Sequence, residues 1–127
     1  IENNERLIID YKSGTVAASK MIGNPIEQAQ LPIYAISNTV DGVAFAAINP
    51  SDCQFKAITK NKSALPLKPQ AKSKMPEWDI QLMEWYSTLN SASHDFQNGI
   101  AKVLPTKNAC EFCGYDLLCR VEKSPNH

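Results

Sequence analysis

The stretch LIIDYKSG, residues 7–14, places Asp10 and Lys12 two positions apart at the end of an apolar run. With Glu5 and Arg6 in front it reads as a strand, ERLIIDYK, closed by the turn signal Ser13-Gly14. On a strand, residues i and i+2 point to the same side, so Asp10 and Lys12 share a face and Tyr11 takes the other. An ionised group is costly to bury unless it is paired, hydrogen-bonded or bound to metal. Either the strand ends at the surface, or the two charges do chemistry.

Working outward, residues 13–23 show no clear periodicity. A helix start is read at Asn24-Pro25-Ile26-Glu27: Asn24 caps, Pro25 suits the first helical position, and Glu27 completes a capping-box-like pattern. This helix would run to about Asn38, with Pro32 removing one backbone donor and allowing a kink or a late start. DGVAFAAINP reads as a second strand after an Asp41-Gly42 turn, and CQFKAIT as its partner, a hairpin around Asn49-Pro50. Residues 60–76, rich in Lys, Pro, Ser and Ala, read as an exposed basic loop or linker. The clearest helix lies between Met75 and Val103, where Trp78, Leu82, Trp85, Leu89, Ala92, Phe96 and Ile100 recur at helical spacing, with Pro76 near its start and Pro105 stopping it. The order β, α, β, β, α, then a cysteine-rich tail, gives an α/β or α+β domain: a small mixed sheet flanked by helices.

The chain has 127 residues, enough for one ordinary domain, and at 43% hydrophobic it can bury a core. Its formal net charge is zero, so global charge does not advertise nucleic acid. The distribution is less even: from Cys53 to Pro76 there are six lysines and no acid. No run approaches the roughly 18 apolar residues of a membrane span, and no signal peptide is visible. Ile1 stands where a Met would open a complete chain, which reads as a piece cut from something longer. Three of the four cysteines cluster near the C-terminus, a pattern of metal binding in a reducing, cytoplasmic compartment rather than of a disulfide scaffold.

Three constellations carry chemistry. A carboxylate such as Asp10 can hold a divalent metal through hard oxygen ligands. A lysine beside it can position an attacking water and stabilise developing negative charge, the minimum kit for metal-assisted phosphodiester hydrolysis. Alone, the tripeptide reads more simply as a strand-end ion pair facing water. Gln30 and Tyr34, four apart on one helical face, can both hydrogen-bond phosphate or a catalytic side chain, although alone they read better as a half-buried helix face. Cys110, Cys113 and Cys119 form C-x2-C-x5-C, soft thiolates suited to zinc or an iron–sulfur cluster. Both usually want a fourth ligand, either Cys53 or a group outside this piece. His94 reads as a solvated helix residue, His127 is terminal, and Trp78 and Trp85 read as core.

In this order, IIDYKSG, QLPIY and CEFCGYDLLCR resemble the C-terminal nuclease domain of the PD-(D/E)XK superfamily, nearest to the AddB/RecB-like helicase–nuclease proteins of bacterial DNA repair. The resemblance covers nearly the whole chain, including the long helix before the cysteines. It implies a restriction-endonuclease-like core and one partial nuclease domain over 1–127, with an iron–sulfur-type tail over 105–127. It also implies Mg²⁺ or Mn²⁺ as cofactor, and DNA and a helicase region or subunit as partners, with no membrane. Asp10 matches the metal-binding acid and Lys12 the catalytic lysine of the D/E-x-K motif. Gln30 and Tyr34 match the Q-x-x-x-Y motif that arranges the site and contacts DNA. Cys110, Cys113 and Cys119 match three of four ligands of a [4Fe–4S] cluster. The basic stretch from Lys56 to Lys74 would suit backbone phosphate.

The departures matter as much. The family's acid in an "IDRID"-like segment, its further acid or histidine and its first cluster cysteine all precede this strand, and none is present. The expectation is a C-terminal segment that binds Mg²⁺ weakly, cleaves little DNA, holds no intact cluster and self-associates through an open sheet edge. The competing readings are a non-catalytic DNA- or partner-binding module stabilised by a cysteine-ligated metal, and a zinc-ribbon-like adaptor unrelated to nucleases.

Overall fold

GVAFAAIN is the most continuously apolar strand of the sequence, and it takes the centre of the sheet. The computed structural model of the chain describes residues 4–103, 105, 109–111, 113–115 and 118. Three strands, β1 (Leu7–Lys12), β2 (Gly42–Asn49) and β3 (Asp52–Thr59), pair in the order β1-β2-β3. β1 runs parallel to β2, with Ile8 opposite Val43, Asp10 opposite Phe45 and Lys12 opposite Ala47. β3 returns antiparallel, setting Ile58 opposite Val43 and Lys56 opposite Phe45. The sheet is therefore mixed, and its middle strand is buried from Gly42 to Ala47. Parallel pairing requires a crossover, supplied by residues 13–41.

The hairpin turns where the sequence places it. Asn49 pairs with Asp52, and the Asn49 Oδ1 accepts from both the amide and the hydroxyl of Ser51, at 3.2 and 2.9 Å. At the other end of the sheet, Asp41 ties all three strands together. Its carboxylate accepts the Arg6 amide at 3.0 Å. Its own amide donates to the Arg6 carbonyl and its carbonyl accepts the Lys60 amide, both at 2.8 Å.

The crossover helix differs from its expectation. A 3₁₀ turn spans Ala18–Met21, and α1 begins only at Gln30 and ends at Ser37. Asn24 does not cap it. The Glu27 carboxylate lies 3.5 Å from the Lys20 ammonium, and the Gln28 amide donates to the Lys20 carbonyl at 2.9 Å. The side chain needed for a capping box is thus drawn back to the 3₁₀ turn. The late start places Pro32 in the first turn, where a missing amide hydrogen leaves no intrahelical bond unmade. Leu31, Pro32 and Ala35 form the buried side of α1, which packs on β1 and β2.

Residues 60–76 hold the short helix α2 (Pro69–Ser73). Leu67 and Met75 are buried, while Lys60, Lys68 and Lys74 are exposed. Helix α3 spans Trp78–Gln97. Trp78 and Trp85 are buried with edge-to-face rings, centroids 5.8 Å apart, and Leu82 and Leu89 pack partly against the same core. The Trp85 indole donates to the Met21 carbonyl at 2.6 Å, bonding α3 to the crossover. Pro105 does not end this helix. Gly99, at φ +68, ends it: the Gly99 amide donates to the Phe96 carbonyl and the Ile100 amide to the Asp95 carbonyl, a Schellman closure. Phe96, read from its spacing as part of the apolar stripe, is 84% exposed.

The chain divides into two compact units, residues 1–91 and 92–127. The first contains the sheet, α1, α2 and the core, in which Val43, Phe45, Ile58, Leu31, Met21 and Trp85 are fully enclosed.

One glycine is sterically required. A Cβ on Gly42 would lie 2.6 Å from Thr59 Cγ2, 2.8 Å from Leu7 Cδ2 and 3.0 Å from Thr59 Cα. Thr59 has little freedom to yield, since its hydroxyl donates to the Asn61 carbonyl at 2.8 Å. Gly42→Ala is therefore expected to lower unfolding free energy by about 1–3 kcal/mol through overpacking, read as a shifted urea midpoint with unchanged slope. An unchanged midpoint would show that the Leu7–Gly42–Thr59 row is looser than described.

Candidate active site

The site begins with the parity of β1. Ile8 packs against the core, so Asp10 and Lys12, two and four positions later, fall on that same inward side. Ile9 and Tyr11 take the opposite face, where Tyr11 is 69% exposed. The two charged residues are thus aimed inward at the end of the strand, where β1 leaves the core.

The Lys12 ammonium lies 2.9 Å from Asp10 Oδ2, with the side chains 35% and 21% exposed respectively. The same oxygen is enclosed and makes no hydrogen bond among the described residues. The two groups therefore meet as an ion pair without the alignment of a hydrogen bond. A carboxylate oxygen contacted by one ammonium keeps further lone-pair capacity, and it is the donor type a hard divalent cation takes. Asp10 fits a role as one metal ligand. Among the described residues no group of three His, Cys, Asp or Glu side chains gathers to complete a protein-only metal site.

Gln30 opens α1 and Tyr34 stands one turn later, both exposed. Among the described residues neither side chain hydrogen-bonds Asp10 or Lys12, and the Tyr34 carbonyl accepts the Asn38 side chain at 2.8 Å. The helix carrying them packs on β1 and β2. Cys110 and Cys113 are free, half-buried thiols joined by a turn in which the Cys113 amide faces the Cys110 carbonyl at 3.5 Å. Cys119 lies outside the described residues. Cys53 is an exposed free thiol on β3.

Two residues near this framework escaped the sequence reading. Asp41, read as a turn residue, fixes the feet of the strands. Gln81 is 1% exposed, and its Oε1 makes no hydrogen bond among the described residues. It sits three residues after Trp78 and four before Trp85, so helical spacing alone could have placed it on the buried side.

No curated protein and no solved structure matches the chain. A family model does: that of the PD-(D/E)XK nuclease superfamily, over residues 1–120. The small mixed sheet with its helices is consistent with a restriction-endonuclease-like fold. With a match over nearly its full length and a D-x-K strand aimed into the core, the chain belongs to the PD-(D/E)XK nuclease superfamily.

Proposed function

We propose that the chain is the C-terminal segment of a Mg²⁺-dependent DNA exonuclease domain of a helicase-associated repair or recombination protein. Asp10 and Lys12 are its reactive pair. The observation that supports this reading is the inward-facing ion pair on β1, in which an enclosed Asp10 oxygen has the Lys12 ammonium at 2.9 Å and no hydrogen bond among the described residues. Family membership gives the reaction class, phosphodiester hydrolysis.

In this reading Asp10 holds the ion. When bound, Mg²⁺ supplies Lewis-acid polarisation of the phosphate and a more acidic water. Lys12 does the rest of the local work. Its ammonium, free to donate three hydrogen bonds, turns from the carboxylate toward the attacking water and a non-bridging phosphate oxygen. There it orients the nucleophile and offsets charge as it develops. Gln30 and Tyr34 support the site from α1 by hydrogen bonding to DNA. In the parent protein Cys110, Cys113 and Cys119 would supply three of the four soft thiolates of a [4Fe–4S] cluster, the fourth coming from a cysteine outside this segment, with zinc as the alternative occupant.

Among the described residues, no two further acid, histidine or cysteine side chains gather with Asp10. Mg²⁺ keeps several waters and is commonly held by one or two carboxylates together with substrate phosphate. Weak binding and slow turnover follow for this chain on its own. A non-catalytic DNA-binding module is the second reading, favoured by the same shortage of donors among the described residues.

Two measurements separate these readings. Mg²⁺ is expected to raise the melting temperature only at millimolar concentrations, and Asp10→Asn is expected to abolish that rise. A rise retained in Asp10→Asn would place the ion elsewhere. Any Mg²⁺-dependent cleavage of single- or double-stranded DNA should fall by about 10²-fold or more in Lys12→Ala, as expected for loss of a charge-stabilising donor. Cleavage undiminished in that variant would remove Lys12 from the mechanism, and DNA binding with no cleavage under any metal would favour the binding module.

A further inference from the structure

A cleft of about 350 Å³ lies between the residues that follow the 3₁₀ turn and helix α3. Ile22 and Asn24 line it on one side, and Gln81, Glu84, Trp85 and Thr88 on the other. Its volume falls in the range of small-ligand pockets, roughly 300–1,000 Å³. The Trp85 indole, bonded to the Met21 carbonyl at 2.6 Å, ties the two walls together.

Gln81 sets the chemistry of this cleft. It is 1% exposed, and its Oε1 is enclosed with no hydrogen bond among the described residues. A buried acceptor without a donor destabilises the fold, so the cleft is best satisfied by a donor brought in from outside. The terminal torsion of a glutamine is broad, and no hydrogen bond to Oε1 holds it among the described residues. The amide is therefore free to turn its oxygen toward an entering group.

The character of that group follows from the lining. Among the described residues no lysine or arginine lines the cleft, so it does not suit phosphate. The enclosed acceptor is a neutral amide, which does not offset the desolvation of a full positive charge. An ammonium or guanidinium is thus disfavoured, and a neutral N–H donor on a small body remains. Glu84 follows Gln81 by three residues, hence on the same side of α3, and it is exposed. Its carboxylate is a second acceptor. Two acceptors suit the two hydrogens of one amino group and repel a carbonyl oxygen in the same place. Cytosine and adenine carry such an amino group beside a ring nitrogen, the edge that glutamine and carboxylate side chains read.

We propose that this cleft holds the amino edge of an unpaired nucleobase in a DNA strand. Gln81 Oε1 and the Glu84 carboxylate accept from the amino group, and the Gln81 amide nitrogen donates to the ring nitrogen. The proposal rests on the nuclease reading, which names DNA as the ligand, and uses neither Asp10 nor Lys12.

The test is NMR of the isotope-labelled full chain in EDTA, titrated separately with 2′-deoxycytidine and 2′-deoxyuridine, which differ by an amino group against a carbonyl. Deoxycytidine is expected to shift the Gln81 side-chain amide and the backbone amides of Asn24, Glu84 and Thr88. Deoxyuridine is expected to bind at least about fivefold more weakly, the low end for one bidentate pair. Gln81→Met is expected to abolish the shifts and to melt at a higher temperature than the unaltered chain, because an acceptor without a partner is removed. Glu84→Lys, at an exposed position that spares the fold, is expected to erase the preference for deoxycytidine. An oligodeoxycytidine is expected to act at about tenfold lower concentration than the nucleoside, since its phosphates add contacts outside the cleft. Equal concentrations overturn the strand and leave a free nucleoside as the ligand. Equal shifts from both nucleosides, no shift at Gln81, or a preference retained in Glu84→Lys overturn the amino-edge site and leave the nuclease reading standing. A Mg²⁺ response that survives Asp10→Asn, with the cleft shifts intact, overturns the nuclease reading and leaves the nucleobase site.

Discussion

The structure depends on the parallel pairing of β1 with β2. Side chains alternate with a period of two, so a slip of one residue would turn the whole inward set of β1 outward. In the observed register Ile8 lies beside Val43, Asp10 beside Phe45 and Lys12 beside Ala47. That register determines that two charged groups face a core. Asp41 secures it from the far end, where its backbone and carboxylate bond Arg6 and Lys60. Gly42 secures it again, because the space above its Cα is already filled by Leu7 and Thr59. The site is therefore a consequence of strand placement more than of any local loop.

This placement brings a carboxylate and an ammonium toward the core side of the sheet. The Asp10 oxygen is enclosed, 2.9 Å from the Lys12 ammonium and without a hydrogen bond among the described residues. Under the proposed function, a carboxylate oxygen contacted by a single ammonium is suited to receive a further cation and to release the lysine toward substrate. The open edge of β1, unpaired by any other strand among the described residues, keeps this end of the sheet accessible. It also presents backbone groups on which a second chain could pair.

Much of this was legible in the sequence. The strands were visible from their apolar runs, the hairpin from Asn49-Pro50, and the buried tryptophans from helical spacing. Asp10 and Lys12 were legible as a same-face pair, but not their inward direction, which only the pairing with β2 determines. The helix start was misread because Asn24 and Glu27 form a local capping pattern with no periodic apolar face behind it. The structure spends Glu27 on Lys20, a contact no capping rule anticipates. The helix end was misread for the opposite reason: Pro105 is a loud signal, yet a single glycine at positive φ closes the helix earlier. Family membership rests on the match over residues 1–120, which the ordered motifs anticipated.

The central claim is that Asp10 and Lys12 mark the place where a divalent ion binds. It is tested most directly by titrating isotope-labelled protein with Mn²⁺ and following paramagnetic broadening of backbone amides. The account predicts broadening centred on Asp10 to Lys12 and on the paired residues Phe45 to Ala47, reversed by excess Mg²⁺ and absent in Asp10→Asn. Broadening centred on another acid, such as Glu84 or Asp95, with β1 unaffected, would contradict it.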